Sequence, residues 1–290
     1  MPKWDDVYCT LAEKILTEGV RVSNRTGIDT LKIPSYHFQL DVSEEFPVLT
    51  TKQLFIRQAV LEMLWIWQAQ SNEVKWLQER NVHIWDKWEV DADGAWRQEG
   101  TGAVLKQLDP AFAGTIGTAY GYVVKKYHLT DRLIHSLRHD PEDRRRVVSF
   151  WQESELDTAV LPPCVWSTEW DVTDGRLSLW VHQRSCDVPL GLPFNVTQYA
   201  ALLCMVAQVT GLEPGTLDWS IKDAHIYVNQ IEGIKEQLHR WHTQKPMAAP
   251  KLWLNPEIRE FGDFDNSKDC KDIRLEGYEH MGKIAFPLAQ

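Results

Sequence analysis

A turn between two strand-like segments, followed closely by a long apolar helix, limits the fold of this chain more than any other stretch. Residues 165–172 and 177–183 are separated by Thr173-Asp174-Gly175-Arg176, and Leu177, Leu179 and Val181 alternate with Ser178, Trp180 and His182. An Asp-Gly pair between such segments predicts a β-hairpin. Over residues 195–209, Val196, Tyr199, Leu203 and Val206 recur at helical spacing, and Gly211 stands just past the end. This succession predicts a helix packed on a mixed sheet.

The rest of the chain fits that plan. Trp4, Val7, Leu11 and Ile15 predict a first amphipathic helix over residues 3–18, stopped by Gly19. Short strands are expected over 30–49, leading into Phe46-Pro47. Over 56–67 the stripe Ile56, Val60, Met63, Leu64 and Trp67, widened by Leu61 and Trp65, predicts a buried helix. Glu62 in its middle is either a carboxylate in a low-dielectric setting or a side chain turned to solvent. Residues 89–115 lack periodicity and read as a surface insertion. A short helix over 131–139, a buried strand over 147–151 and a strand over 217–221 follow, then a helix marked by Tyr227, Ile231, Ile234 and Leu238. From Trp253 the tail reads as strand and loop. The expected architecture is α+β, a mixed sheet with helices packed on it, one domain over residues 1–290 and a single core.

Composition narrows the functional classes. A net charge of -10 argues against broad, sequence-independent nucleic-acid binding, which needs a surplus of Lys and Arg. The five cysteines form no CxxC pair or zinc-spaced Cys/His cluster, so neither a disulfide framework nor a metal is expected, and a reducing compartment fits. No basic stretch followed by an apolar segment opens the chain, and no uninterrupted apolar run approaches membrane-spanning length, so a cytoplasmic protein without a membrane partner is expected. Fourteen tryptophans serve a core, a subunit interface or a flat heterocyclic ligand.

Several short stretches carry chemistry. Leu161-Pro162-Pro163-Cys164 holds the backbone rigid ahead of a thiol, which suits a nucleophile, although a lone cysteine is more often a small buried hydrophobe. Arg184-Ser185-Cys186-Asp187 follows the hairpin directly, so Arg184 can lie beside Cys164, lower its pKa and offer a fork to a phosphate; the alternative is a surface pair with Asp187. Asp143-Arg144-Arg145-Arg146 is a phosphate grip or a solvated charge run. Asn195, at the expected start of a helix, either caps it or reads a heterocycle with one donor and one acceptor. His225 and Tyr227 set two polar tips together, for one ligand hydroxyl or for each other's surroundings.

Together LPPC, QRSCDVPLGLPFN, KDAHIYVNQ, SNRTG, FPVLTTK and HIWDKW resemble the thymidylate synthase family in order and spacing, over nearly the whole chain. The resemblance implies a homodimer joined through its sheets that methylates dUMP to dTMP, with 5,10-methylenetetrahydrofolate as one-carbon and hydride donor and dihydrofolate as product. On this resemblance Cys164 matches the nucleophile that adds to C6 of uracil, Tyr120 the residue assisting proton removal at C5, and Glu62 the carboxylate that manages protons. Arg184 and Asp187 complete the catalytic set. Arg25, Arg184 and Ser185 match phosphate ligands, and Arg144 and Arg145 the pair donated across the dimer interface. Asn195 matches the reader of N3-H and O4, and His225 with Tyr227 the clamp on the ribose 3′-hydroxyl. Trp85, Asp187, Leu190, Gly191 and Phe194 match the folate pocket, and Lys52 the lysine facing the folate glutamate tail.

Three positions depart from the pattern. Val165 stands where the family usually has histidine, as in a Bacillus-type branch with Pro-Cys-Val. Pro189 replaces a bulky apolar residue, and the chain ends Pro287-Leu288-Ala289-Gln290 instead of on an aliphatic terminus. The rival activity on the same scaffold is a pyrimidine nucleotide 5-hydroxymethylase, acting on dUMP or CMP/dCMP. Its cytosine version is expected to carry aspartate in place of Asn195.

Overall fold

A computed structural model describes residues 1–289. In chain order the elements are α1 (Lys3–Glu18), β1 (Val20–Val22), β2 (Thr30–Ile33), β3 (Tyr36–Asp41), α2 (Ile56–Trp67), α3 (Val74–Gln78), β4 (Ala95–Arg97) and β5 (Val104–Gln107). The middle of the chain forms α4 (Gly121–Tyr127), α5 (Leu129–His139), β6 (Val147–Ser149), α6 (Glu153–Leu156), β7 (Val165–Thr173), β8 (Arg176–Gln183) and β9 (Cys186–Asp187). Then come α7 (Gly191–Thr210), β10 (Glu213–Ile221), β11 (Ala224–Tyr227), α8 (Ile231–Thr243), β12 (Lys251–Leu254) and β13 (Ile273–Glu276).

The predicted hairpin is β7–β8, with Thr173 opposite Arg176. Asp174 and Gly175 both take positive φ, 50° and 74°, the backbone that a two-residue turn between right-twisted strands requires. The hairpin lies inside a mixed five-stranded sheet of order β3-β10-β8-β7-β6, in which β10 runs parallel to β8. A second sheet, β1-β2-β11-β9, repeats this arrangement, with β11 parallel to β9. Two consecutive crossings, β8 to β9 and β10 to β11, therefore join the sheets. Arg184-Ser185 and Lys222-Asp223 fall on the seam.

Helix α7 packs against β8, β9 and β10 on one side and α2 on the other. It is buried on nearly all sides, so its length and apolar composition, enough to cross a membrane, are spent inside the protein. It also starts four residues earlier than the apolar spacing suggests. Pro193 is its third residue, where the backbone N–H has no intrahelical partner to lose, so proline does not stop the helix. Asn195 therefore sits inside the helix and does not cap it.

Other expectations shift similarly. Tyr227 belongs to β11, and α8 begins only at Ile231. The strand expected to be buried over 147–151 is the short edge strand β6, whose Val147 is 54% exposed because it points off the outer face of the sheet. Residues 89–115 are more than a surface insertion. Strands β4 and β5 pair there, and Val90, Trp96, Leu108 and Val160 close a satellite cluster beside a main core that runs from Trp4 to Ile273. The paired strands are too short to show a period.

Candidate active site

Cys164 immediately precedes β7 and is fixed from both sides. Its N–H donates to the Tyr120 hydroxyl at 2.9 Å, and its carbonyl accepts from the Arg184 N–H at 2.8 Å. The Arg184 guanidinium donates to the carbonyls of Pro163 at 2.9 Å and Pro162 at 2.6 Å, leaving Nη2 3.9 Å from the Cys164 Sγ. The double proline thus presents two free carbonyls that orient the arginine. The alternative pairing of Arg184 with Asp187 does not occur: the carboxylate accepts from the Leu190 N–H at 3.1 Å and the Gln230 amide at 3.1 Å.

The expected depression of the thiol pKa is not what results. Burial pushes Cys164 up, and the charges of Arg184 and then Arg25 only oppose it. Burial also raises Cys204 to about 12, and there no cation opposes it among the causes of its shift. With burial outweighing both cations, the thiol does not stand as a thiolate in the free protein.

Tyr120 heads α4 with φ 45° and ψ -102°, a strained backbone for a bulky residue, and its ring lies 5.8 Å from both Trp85 and Phe150. Burial holds the phenol well above its ordinary pKa, followed by the charge of Cys164. It acts as a neutral hydrogen-bonding group. Glu62, on α2, points inward: its carboxylate accepts from the Trp85 indole N–H at 2.6 Å and from the Gln198 amide. Burial raises its pKa, and these two bonds oppose the rise.

Asn195 projects from α7 with its Oδ1 accepting from Gln183 at 3.1 Å and its Nδ2 donating to Gln198 at 3.3 Å. His225 on β11 pairs through Nδ1 with Asp223 at 3.3 Å and stands perpendicular to Tyr227, centroids 5.2 Å apart. Ser185 lies half-buried on the seam, and Arg25, in the exposed turn between β1 and β2, acts electrostatically on both Cys164 and Tyr227. Arg144 and Arg145 stand apart from this group. Arg145 is bound to Asp143 at 2.8 Å, and Arg144 lines a groove with Glu169, Asp171, Trp180 and Asp218.

On the side of Asp187, burial raises the carboxyl, opposed first by its bond from Gln230. Lys52 is also buried; it donates to the Pro189 carbonyl at 2.5 Å and lies 4.6 Å over the Phe286 ring. Burial lowers it to about 7, with Asp187 opposing. An ammonium so placed is covered and does not face outward. The cover is the C-terminal tail: Phe286 packs against Gly233, and Gln230 donates to the Pro287 carbonyl at 3.0 Å. Leu190 and Gly191 lie where the chain enters α7, and Phe194 and Trp85 are packed against the main core, leaving a buried carboxyl beside aromatic and aliphatic surface.

The residues that sequence reasoning passed over are Gln183, Gln198 and Gln230, buried amides that join the named groups. Gln198 carried a signal: it is one of few polar side chains in an apolar 20-residue helix, three residues after Asn195. Gln230 carried none without the third dimension.

A thymidylate synthase family model matches residues 6–290. The chain is similar to a thymidylate synthase of Clostridium beijerinckii, 45% identical over 289 residues and covering 100% of both chains. It is also similar to one of Bacillus licheniformis, 37% identical over 308 residues with 100% of both covered. Among solved structures it resembles the thermostable thymidylate synthase A of Bacillus subtilis, with a TM-score of 0.84, 36% identity and 99% of each chain covered.

Proposed function

The chain belongs to the thymidylate synthase family, and on that premise we propose how its own residues perform the reductive methylation of dUMP to dTMP. Methylenetetrahydrofolate supplies the one-carbon unit and the hydride, and leaves as dihydrofolate. The observation that carries the reading is the placement of Cys164: a backbone locked by Tyr120 and Arg184, and a sulfur 3.9 Å from a guanidinium.

Cys164 adds through sulfur to C6 of the uracil ring, which turns C5 into an enolate-like nucleophile. The phosphate is held by Arg25, Arg184 and Ser185. Asn195 accepts from N3-H and donates to O4, while His225 and Tyr227 clamp the ribose hydroxyl. Tyr120 assists loss of the proton from C5, and the Cys164–C6 bond breaks again as the methylated base is released, returning the free thiol. Glu62, which holds a proton more readily than an exposed glutamate, manages proton traffic at the ring. Trp85, Leu190, Gly191 and Phe194 wall the folate pocket, Asp187 meets the pterin edge, and Lys52 ties the closing tail to that wall. A buried carboxyl among apolar groups offers hydrogen-bond acceptors to the N–H groups on the edge of a pterin, which fits the cofactor.

The whole chain works as one catalytic domain and as a homodimer. The outer face of the five-stranded sheet exposes Trp166, Trp180 and Val147 at 38%, 43% and 54%, an apolar face that a second copy would cover. Arg144 lies on that face, away from Cys164, as expected if Arg144 and Arg145 of one protomer complete the phosphate site of its partner. The five free thiols suit a reducing, cytoplasmic setting.

The hydroxymethylase alternative has nothing to favour it: Asn195 is retained, and the relatives carry the synthase name. Incubation with dUMP and methylenetetrahydrofolate, following dihydrofolate by absorbance and the nucleotide by chromatography, tests the reading. Equal amounts of dTMP and dihydrofolate are expected. Hydroxymethyl-dUMP without dihydrofolate would overturn it.

A further inference from the structure

Six side chains form one directional hydrogen-bonded chain through the core of the site. The Trp219 indole donates to Gln183 Oε1 at 3.0 Å, Gln183 to Asn195 Oδ1 at 3.1 Å, Asn195 to Gln198 Oε1 at 3.3 Å, and Gln198 to Glu62, which also accepts from Trp85. The Trp219 end fixes its direction, because an indole N–H can only donate, and from the far side the Trp85 indole likewise donates to Glu62, where the bonds converge. Turning over the Asn195 amide alone would set NH2 against NH2 at Gln183 and oxygen against oxygen at Gln198. Turning over every amide would leave the fully buried Trp219 N–H without an acceptor.

Within this chain Asn195 keeps one lone pair on Oδ1 and one hydrogen on Nδ2 for a ligand. Uracil offers a donor at N3 and an acceptor at O4, which match; cytosine offers the reverse at both positions. Val165 lies directly across the hairpin from Gln183 and contributes no polar atom, so the orientation of Asn195 depends on its two amide neighbours. Of these, Gln198 is the one joined to Glu62. It is 4% exposed, on the same helix as Asn195.

We propose that Gln198 is a positioning residue for base selection: it holds the Asn195 amide in the polarity that accepts uracil and refuses cytosine, and couples that orientation to Glu62. The inference rests on the dUMP reading above, and it names the residue on which the selectivity depends. The groups facing Glu62 are the Trp85 indole, the Gln198 amide and, electrostatically, the buried phenols of Tyr120 and Tyr199.

Two variants of the full-length protein test it. Gln198→Met keeps the volume and removes both bonds. Gln198→Glu keeps an acceptor for Asn195 but sets a second carboxyl against Glu62. Dissociation constants for dUMP and dCMP should show the preference for dUMP falling by roughly tenfold to hundredfold in Gln198→Met, mainly through weaker dUMP binding. In Gln198→Glu the preference should return, while the acid limb of the kcat–pH profile moves to higher pH. An unchanged dUMP:dCMP ratio in Gln198→Met, or a wild-type pH profile in Gln198→Glu, overturns the proposal. Should Gln198→Met not fold, the profile and binding ratio of Gln198→Glu decide alone. The dUMP:dCMP binding ratio is read without turnover, so failure to form dTMP would sink the synthase reading while leaving the Gln198→Met test standing.

Discussion

As the proposed nucleophile, Cys164 has to be shielded from adventitious chemistry and yet attack a ring carbon, and its surroundings divide these tasks. Burial keeps the thiol protonated in the free protein, and the guanidinium at 3.9 Å is positioned to favour the thiolate as attack begins. Cys164→Ala should abolish turnover while leaving dUMP binding, measured by calorimetry, largely intact. Glu62→Gln should lower kcat by about a hundredfold or more with little change in nucleotide affinity, the size expected when a proton-managing group is lost. Lys52 gives a pH signature. Its pKa falls from 10.5 to about 7 on folding, so between these values the unfolded chain binds more protons, and native stability gains from rising pH. Denaturant midpoints of the wild type relative to Lys52→Met should therefore climb from about pH 7 upward, by at most about 1.4 kcal/mol per pH unit; parallel curves would contradict the assignment. The closeness of Cys164 and Arg184 was legible from the strings on either side of the hairpin, while Glu62 and Tyr120 took their expected roles from the family resemblance. Gln183 and Gln198 were not assigned, since their meaning lies in a chain of contacts spanning four elements.

Among the elements, α7 carries the heaviest load, since it supplies Asn195 and Gln198 to the site and fills the space between α2 and the main sheet. Leu203, fully buried on it, should cost about 2–5 kcal/mol when changed to alanine, read from chemical denaturation. The β7–β8 turn is a local determinant of the same sheet. Gly175→Ala places a Cβ on a residue at φ 74° and should destabilise by about 1–2 kcal/mol, whereas a neutral result would mean that the turn does not set the register. The hairpin and both long helices could be read from periodicity, because their apolar faces are continuous. The start of α7 could not, because Pro193 is tolerated only in the first helical turn, and the boundary cannot be known before the helix is. The spacing of Tyr227 to Ile231 suggests helix, although pairing with Thr30 makes it strand.

At the scale of the molecule, two sheets joined by consecutive parallel crossings bring residues from distant parts of the chain to one seam, which is why the site is assembled only in the folded protein. Sequence alone gave the α+β class and the mixed sheet. It could not show the satellite cluster around Trp96, nor that the tail covers Lys52. Dimerisation through the exposed tryptophan face predicts that Trp180→Glu yields monomers in sedimentation, with activity lost. It further predicts that mixing inactive Arg145→Ala and Cys164→Ala proteins restores turnover that neither homodimer has, because one intact site forms in the mixed dimer. The most direct test of the whole account is the mass of the chain after incubation with methylenetetrahydrofolate and 5-fluoro-dUMP, whose fluorine stands where a proton must leave C5. The account predicts a covalent adduct containing nucleotide and folate, located by peptide mapping at Cys164 and absent from Cys164→Ala. An unmodified chain, or an adduct at another residue, would contradict it.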